Sequence, residues 1–308
     1  MKTTQIVLDQ MILVVLNISL WQGRKALKTG DLAVNGIDVG KLPPGTLATL
    51  GSKRVISPKA VKVFSSLRRE AKRLCLQNGV RFGGDGYAVP REKAETLSRE
   101  LKRIKAEFET AKTNFLAGYH EEVEKWIVAN PPEWAQIIHV AADSPNRIQK
   151  AISFNYAAIE LKAPADIAEN GLDEEVDSLY GQLCHEVRLM ARRAYEYKFV
   201  GKQEITQKAL RPIKAIRTKL VGLLFLDPSI AETIQVIDDT LSKLPLDGTI
   251  KGTDLNMVAG LLGMQLANLG RVLPQDQESE EDGTDEAQDV VSPVSDTTGK
   301  VAPIAWDF

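Results

Sequence analysis

Two cysteines and three histidines are all that this chain of 308 residues offers to disulfide or metal chemistry. Cys75 and Cys184 lie far apart in the chain, each inside a helical pattern, and His120, His139 and His185 are scattered. A structural zinc needs three or four ligands, and the Cys184-His185 pair supplies two at most. Both cysteines are therefore expected to be reduced core residues, no metal or cofactor is expected, and the lack of disulfide use points to a cytoplasmic location. Long apolar runs are scarce as well. The most apolar stretch, residues 6–21, is broken by Asp9, Gln10 and Asn17 and falls short of the roughly 20 apolar residues a span requires. It also has no basic start and no small-residue cleavage site. Residues 5–21 are read as a core helix, and no membrane association is expected.

Catalytic signatures are equally thin. GxSxG, HExxH and GxxxxGK[ST] do not occur. Gly83-Gly84-Asp85-Gly86 satisfies a GxxG spacing, but an Asp inside the loop would repel a phosphate, so the segment reads first as a hairpin turn between Val80-Arg81-Phe82 and Tyr87-Ala88-Val89. Glu121-Glu122 and Asp173-Glu174-Glu175 are carboxylate clusters in or at the start of helical patterns, where acids are routine. The chain is expected not to be an enzyme. No repeat of 20 to 50 residues suggests a solenoid.

What the chain does have is a division of charge. The last 35 residues hold ten acids against Lys300 alone, a net of −9, which leaves 38 bases against 31 acids, a net of +7, in the body. A tail this acidic and this poor in apolar groups cannot bury enough surface to fold and is expected to be disordered. A basic body points to a nucleic acid or an acidic protein as partner.

Helical periodicity dominates the rest. Ser57-Pro58 opens a helix with the stripe Val61, Phe64, Leu67, Ala71, Leu74 and Cys75, which Asn78-Gly79 closes. From residue 91 to about 129 there is no proline, and Leu97, Leu101, Ile104, Phe108, Ala111 and Phe115 follow heptad spacing. Leu172, Val176, Leu179, Leu183, Val187, Met190, Ala194 and Tyr197 form a second seam after Gly171. Shorter helical pieces at 133–141 and 145–161 would cap an antiparallel helical pair, or both seams would face a compact bundle. Three more helices are expected near 204–226, 228–243 and 253–269. The last is apolar nearly all round and so must be buried in the body or against another subunit, with Gly260 and Gly263 admitting a neighbouring helix. The expected fold is mainly α: a helical bundle with a long antiparallel coiled-coil-like helical pair, one small β-hairpin and a disordered acidic C-terminal tail. Its regions are an N-terminal helical region with the hairpin (1–90), the long pair with a helical tip (91–200), a C-terminal helical region (201–273) and the tail (274–308).

Two segments stand out as binding candidates. Residues 188–219 carry ten bases against two acids, and Arg188, Arg192, Arg193, Lys208, Arg211, Lys214, Arg217 and Lys219 are candidates for contacting nucleic acid or an acidic partner. Such a face can also simply be solvated. Tyr195, Tyr197 and Phe199 interleave with these bases and offer stacking planes. At the end of the tail, Ile304, Trp306 and Phe308 place apolar anchors after an acidic spacer. They would dock in a partner's pocket or fold back onto the basic body.

At Leu20-Trp21-Gln22-Gly23-Arg24-Lys25, Leu50-Gly51-Ser52-Lys53-Arg54, Gly79-Val80-Arg81-Phe82 through Tyr87-Ala88-Val89-Pro90, and Phe108 through Tyr119 to Trp126, the chain resembles a domain-of-unknown-function family of phages and integrative conjugative elements. Genes of that family often lie beside a MoxR-type AAA+ ATPase and a von Willebrand factor A protein similar to cobaltochelatase subunits. The resemblance implies a non-catalytic adaptor or structural subunit, with those two proteins as partners, and it transfers no catalytic residue. A homo-oligomer is expected, while the seams themselves fit pairing within one chain or between chains. The alternative is a DNA-binding accessory in conjugative or phage recombination.

Overall fold

The computed structural model describes residues 2–33, 36–163 and 171–271, with side chains from Thr4 onward. Helix α1 (Lys2–Asp9) leads into strand β1 (Met11–Ser19), then β2 (Arg24–Ala26), α2 (Thr29–Ala33) and β3 (Ser52–Arg54). The Ser57-Pro58 signal opens α3 (Pro58–Asn78), where the Ser57 hydroxyl caps the Lys59 amide. The hairpin β4 (Val80–Phe82) and β5 (Gly86–Pro90) follows, as the glycine turn predicts. Next come α4 (Arg91–Val128), α5 (Ala135–Ala141), α6 (Pro145–Ala151), β6 (Ser153–Ile159) and α7 (Leu172–Lys198). The last part holds β7 (Glu204–Thr206), α8 (Arg211–Gly222), α9 (Ser229–Ser242), β8 (Thr249–Lys251) and α10 (Gly252–Gly260), continued by a π turn and a 3-10 turn through Asn268. The chain is mainly helical, with ten α-helices among the described residues. Residues Met1–Arg271 form one compact unit.

The sheet departs most from the sequence expectation. Residues 11–19 are a strand and not the second half of a core helix, and 153–159 are a strand where a helix over 145–161 was expected. Together with the hairpin they make an antiparallel sheet in the order β4-β5-β1-β6. The physical reason lies in β1 itself: Met-Ile-Leu-Val-Val-Leu-Asn-Ile is rich in branched residues that suit a pleated surface, and a strand covered on both faces loses the apolar and polar alternation that marks a half-exposed one. Met11 and Leu13 point, with Val80, Phe82 and Ala88, into one apolar cluster. Ile12, Val14, Tyr87, Val89 and Phe154 point into another on the opposite face.

Those two clusters also correct the expected pairing of the long helices. α4, 38 residues and about 57 Å long, packs with α3 and the sheet around Phe64, Leu101, Ile104 and Phe108. α7 packs with α1, α8 and the 261–268 turns around Leu179, Leu183 and Val187. Each heptad-like stripe finds a sheet face and a neighbouring helix to cover it, so within the chain the two do not form an antiparallel pair. The apolar segment after Gly252 is buried against α7 as its composition requires, with the Tyr195 ring lying on Gly263, while nothing crowds Gly260.

Acids of α7, two of them from the cluster that reads as a routine helix start, tie the helix to the sheet edge and to α1. Glu175 accepts from the Gly83 amide at 3.1 Å and Glu186 from the Arg81 amide at 3.3 Å, while Asp173 accepts from the Thr4 hydroxyl of α1. Gly83 stands at φ +58°, the left-handed turn position that glycine fills without strain. Its amide is engaged by a carboxylate, which leaves no phosphate cradle in the GxxG turn. At the α3 to β4 junction, a side chain on Gly79 would collide with the Ala88 carbonyl, which is why that helix ends on glycine although its backbone is extended.

Candidate partner-binding surfaces

Of the eight cations singled out between 188 and 219, three are spent inside the fold. Lys219 is 1% exposed, and its ammonium donates to the carbonyls of Leu76 and Gly79 and pairs with Glu186. Burial pushes its pKa down, against the opposing pull of Glu186. The knot joins the end of α3 to α7 and α8, so Lys219 is a structural cation and not a surface contact. Arg217 forms a two-pronged ion pair with Asp238 of α9. Arg188 is half-buried and donates to the Leu269 carbonyl at 2.6 Å. The helical wheel of α8 could not reveal this, because a cation on the flank of an apolar stripe looks solvated until its neighbours are known.

The other five, Arg192, Arg193, Lys208, Arg211 and Lys214, are exposed and have no acidic partner among the described residues. Near them a hollow of about 560 Å³ opens between α7 and α8, lined by Met190, Arg193, Ala194, Tyr197, Lys198 and Pro212. Tyr197, expected to continue the core seam, is 78% exposed, and Leu189 and Val200 are exposed on the same part of the chain. Phe199 is buried and Tyr195 half-buried, which leaves Tyr197 as the exposed ring of the three. The docking residues Ile304, Trp306 and Phe308, with the rest of the acidic tail, lie outside the described residues.

A second surface forms where the segments that carried the family resemblance come together. β2 and β3 pair antiparallel, setting Arg24 opposite Arg54 and Lys25 opposite Lys53. On the inner face both lysines are neutralised: Lys25 by Asp143 at 2.8 Å and Lys53 by Asp31 at 2.6 Å. Asp143, 8% exposed, also accepts from the Trp21 indole at 3.0 Å. Burial pushes its carboxyl up, but the bonds from Lys25 and Trp21 together hold it below the ordinary value. The Trp126 indole of α4 donates to the Arg54 carbonyl at 3.1 Å and ties the ribbon to that helix. Trp21 itself leans on Phe115 and Tyr119, with ring centroids 6.1 and 5.8 Å away. Gly23, at φ +64°, lets the backbone turn against Ile56. None of Trp21, Asp143 or Asp31 emerged as a functional candidate from residue patterns, because their partners are distant in sequence.

Both cysteines are buried, and burial pushes the Cys75 thiol up to about 12 and raises that of Cys184, which disfavours the thiolate. No described helix is long and apolar enough to cross a membrane.

A mainly helical protein built around one four-stranded antiparallel sheet, with two cationic surfaces and no nucleotide fingerprint, is the class these features define. The chain belongs to the family described as Protein of unknown function (DUF3150), whose model matches residues 8–266. No curated protein and no solved structure matches it.

Proposed function

We propose that the chain is a non-catalytic adaptor or structural subunit of a phage or mobile-element assembly, working with a MoxR-type AAA+ ATPase and a von Willebrand factor A partner. The observation that supports this reading is the exposed end of α7 and the turn after it, where Leu189, Tyr197 and Val200 are exposed along with Arg192, Arg193 and Lys198. A large apolar ring set among cations suits an acidic protein surface with an apolar centre. Homo-oligomerisation belongs to the proposal. The test is co-elution of the purified chain with the two neighbours, with and without nucleotide, beside the Leu189→Glu, Tyr197→Glu variant. Binding to both, lost at least tenfold in the variant, is the expected result. Failure to co-elute with either protein under every nucleotide condition would overturn it.

The five cations of α7, α8 and the turn before α8 that have no acidic partner among the described residues favour one second reading, a DNA-binding accessory. It requires charge reversal at Arg193, Arg211 and Lys214 to weaken DNA binding.

A further inference from the structure

We infer that the ribbon of β2 and β3, with the hollow beside Trp21, is a binding site for single-stranded nucleic acid. This goes beyond the adaptor reading and does not depend on it.

The first observation is a like-charge pair that the fold leaves standing. In an antiparallel ribbon, residues directly opposite share a face at about 5 Å, and like charges there are destabilising. Arg24 and Arg54 occupy such a pair. The neighbouring lysine pair has a carboxylate for each member, whereas neither arginine has an acidic partner among the described residues. Arg24 is held by the Ser52 hydroxyl at 2.8 Å, which orients its guanidinium without neutralising it. Two exposed planar guanidiniums on one face match the bidentate geometry of a phosphodiester.

The second observation is the hollow of about 310 Å³ adjoining the ribbon. Leu20, Trp21, Pro58 and Val61 form its apolar part, and Arg54, Lys59 and Lys62 its cationic rim. No carboxylate lines it. Trp21 is half-buried and fixed in place by Asp143, Phe115 and Tyr119, so its remaining surface is a rigid platform. An aromatic platform next to a track of unpaired cations is the arrangement on which an unpaired base stacks while the backbone is neutralised. A duplex keeps its bases stacked inside and offers nothing to Trp21. An acidic peptide would match the cations but not the ring. Arg24, Arg54, Lys59 and Lys62 gather positive charge locally at the ribbon and the hollow, which attracts a polyanion at short range.

The test is fluorescence anisotropy of a labelled oligothymidylate, a duplex of the same length and polyglutamate, titrated with the full chain across a salt series. The single strand is expected to bind more tightly than either competitor. Arg24→Glu, Arg54→Glu is expected to weaken it at least tenfold and to lower the salt slope by about 1.4, since each lost single-strand phosphate contact removes about 0.7. Lys59→Glu, Lys62→Glu changes exposed positions of α3 and keeps the test open if the ribbon variant fails to fold; at least a fivefold loss is expected. No binding of the single strand at low salt, unchanged binding in a folded variant, or equal binding of polyglutamate would each overturn the site. Loss through Arg193→Glu, Arg211→Glu, Lys214→Glu with the ribbon variants unaffected would also overturn it, in favour of the α7 and α8 surface.

Discussion

Lys219 shows how far a single charge can be displaced from the role its pattern suggests. Its ammonium is buried between two carbonyls and Glu186, so removing it leaves a carboxylate and two acceptors without their donor. Lys219→Met is expected to lower stability by about 3 kcal/mol, as measured by urea denaturation, because one partner of a buried pair is orphaned. Adding Glu186→Leu to that variant should recover part of the loss, and a double variant no better than the single one, with hydrogen exchange at the Arg81 amide unchanged, would show that the carboxylate is not the orphan. Asp143 gives a complementary case with a pH signature. Its folded carboxyl titrates below the unfolded value of 3.8, so its contribution is present at neutral pH and is lost as pH falls through the folded pKa. Asp143→Asn should be less stable than the parent at pH 7, and the gap should close below about pH 4. A gap of constant size down to pH 2 would mean that packing and not charge is what the substitution removes.

Among the elements, helices were the legible part. α3, α4 and α7 begin and end near the positions their caps and stripes predict, because an apolar stripe with period 3.6 on a long segment has few alternative readings. Strands β1 and β6 were not legible as such. A short apolar run bounded by polar residues is equally consistent with a buried helix, and β6 pairs with a segment more than 130 positions earlier, which no local pattern reports. The bases of residues 188–219 are visible in the sequence as a run, but only neighbours in space divide them into the engaged cations Arg188, Arg217 and Lys219 and the exposed ones. The ribbon site is legible in a weaker sense: its two segments carry the resemblance separately, and only backbone pairing brings them together, with the Gly23 carbonyl accepting from the Val55 amide and the Gly51 carbonyl from the Leu27 amide.

At the scale of the whole molecule, the sheet is the common wall of two apolar clusters. Residues 11–14 alternate between them along one strand, so neither cluster can lose its packing without disturbing the other's wall. Unfolding of residues 1–271 is therefore expected to be a single transition. Leu101→Ala on α4 and Leu183→Ala on α7 should each cost about 2 to 5 kcal/mol and shift that one transition. Separate midpoints from near-ultraviolet circular dichroism and from hydrogen exchange at α4 and α7 would contradict it.

The pairing of β1 with β6 also imposes an order of events during synthesis. β1 leaves the ribosome well before β6, and the residues that complete its far side follow only after about 140 more have been added. At 5 to 20 residues per second that wait is roughly 7 to 28 s. During it the hairpin can cover one side of β1, while the other presents unpaired amides and carbonyls flanked by valine and isoleucine. A nascent chain halted between residues 90 and 150 is thus a sticky intermediate that holdase chaperones should recognise, and the finished chain is not.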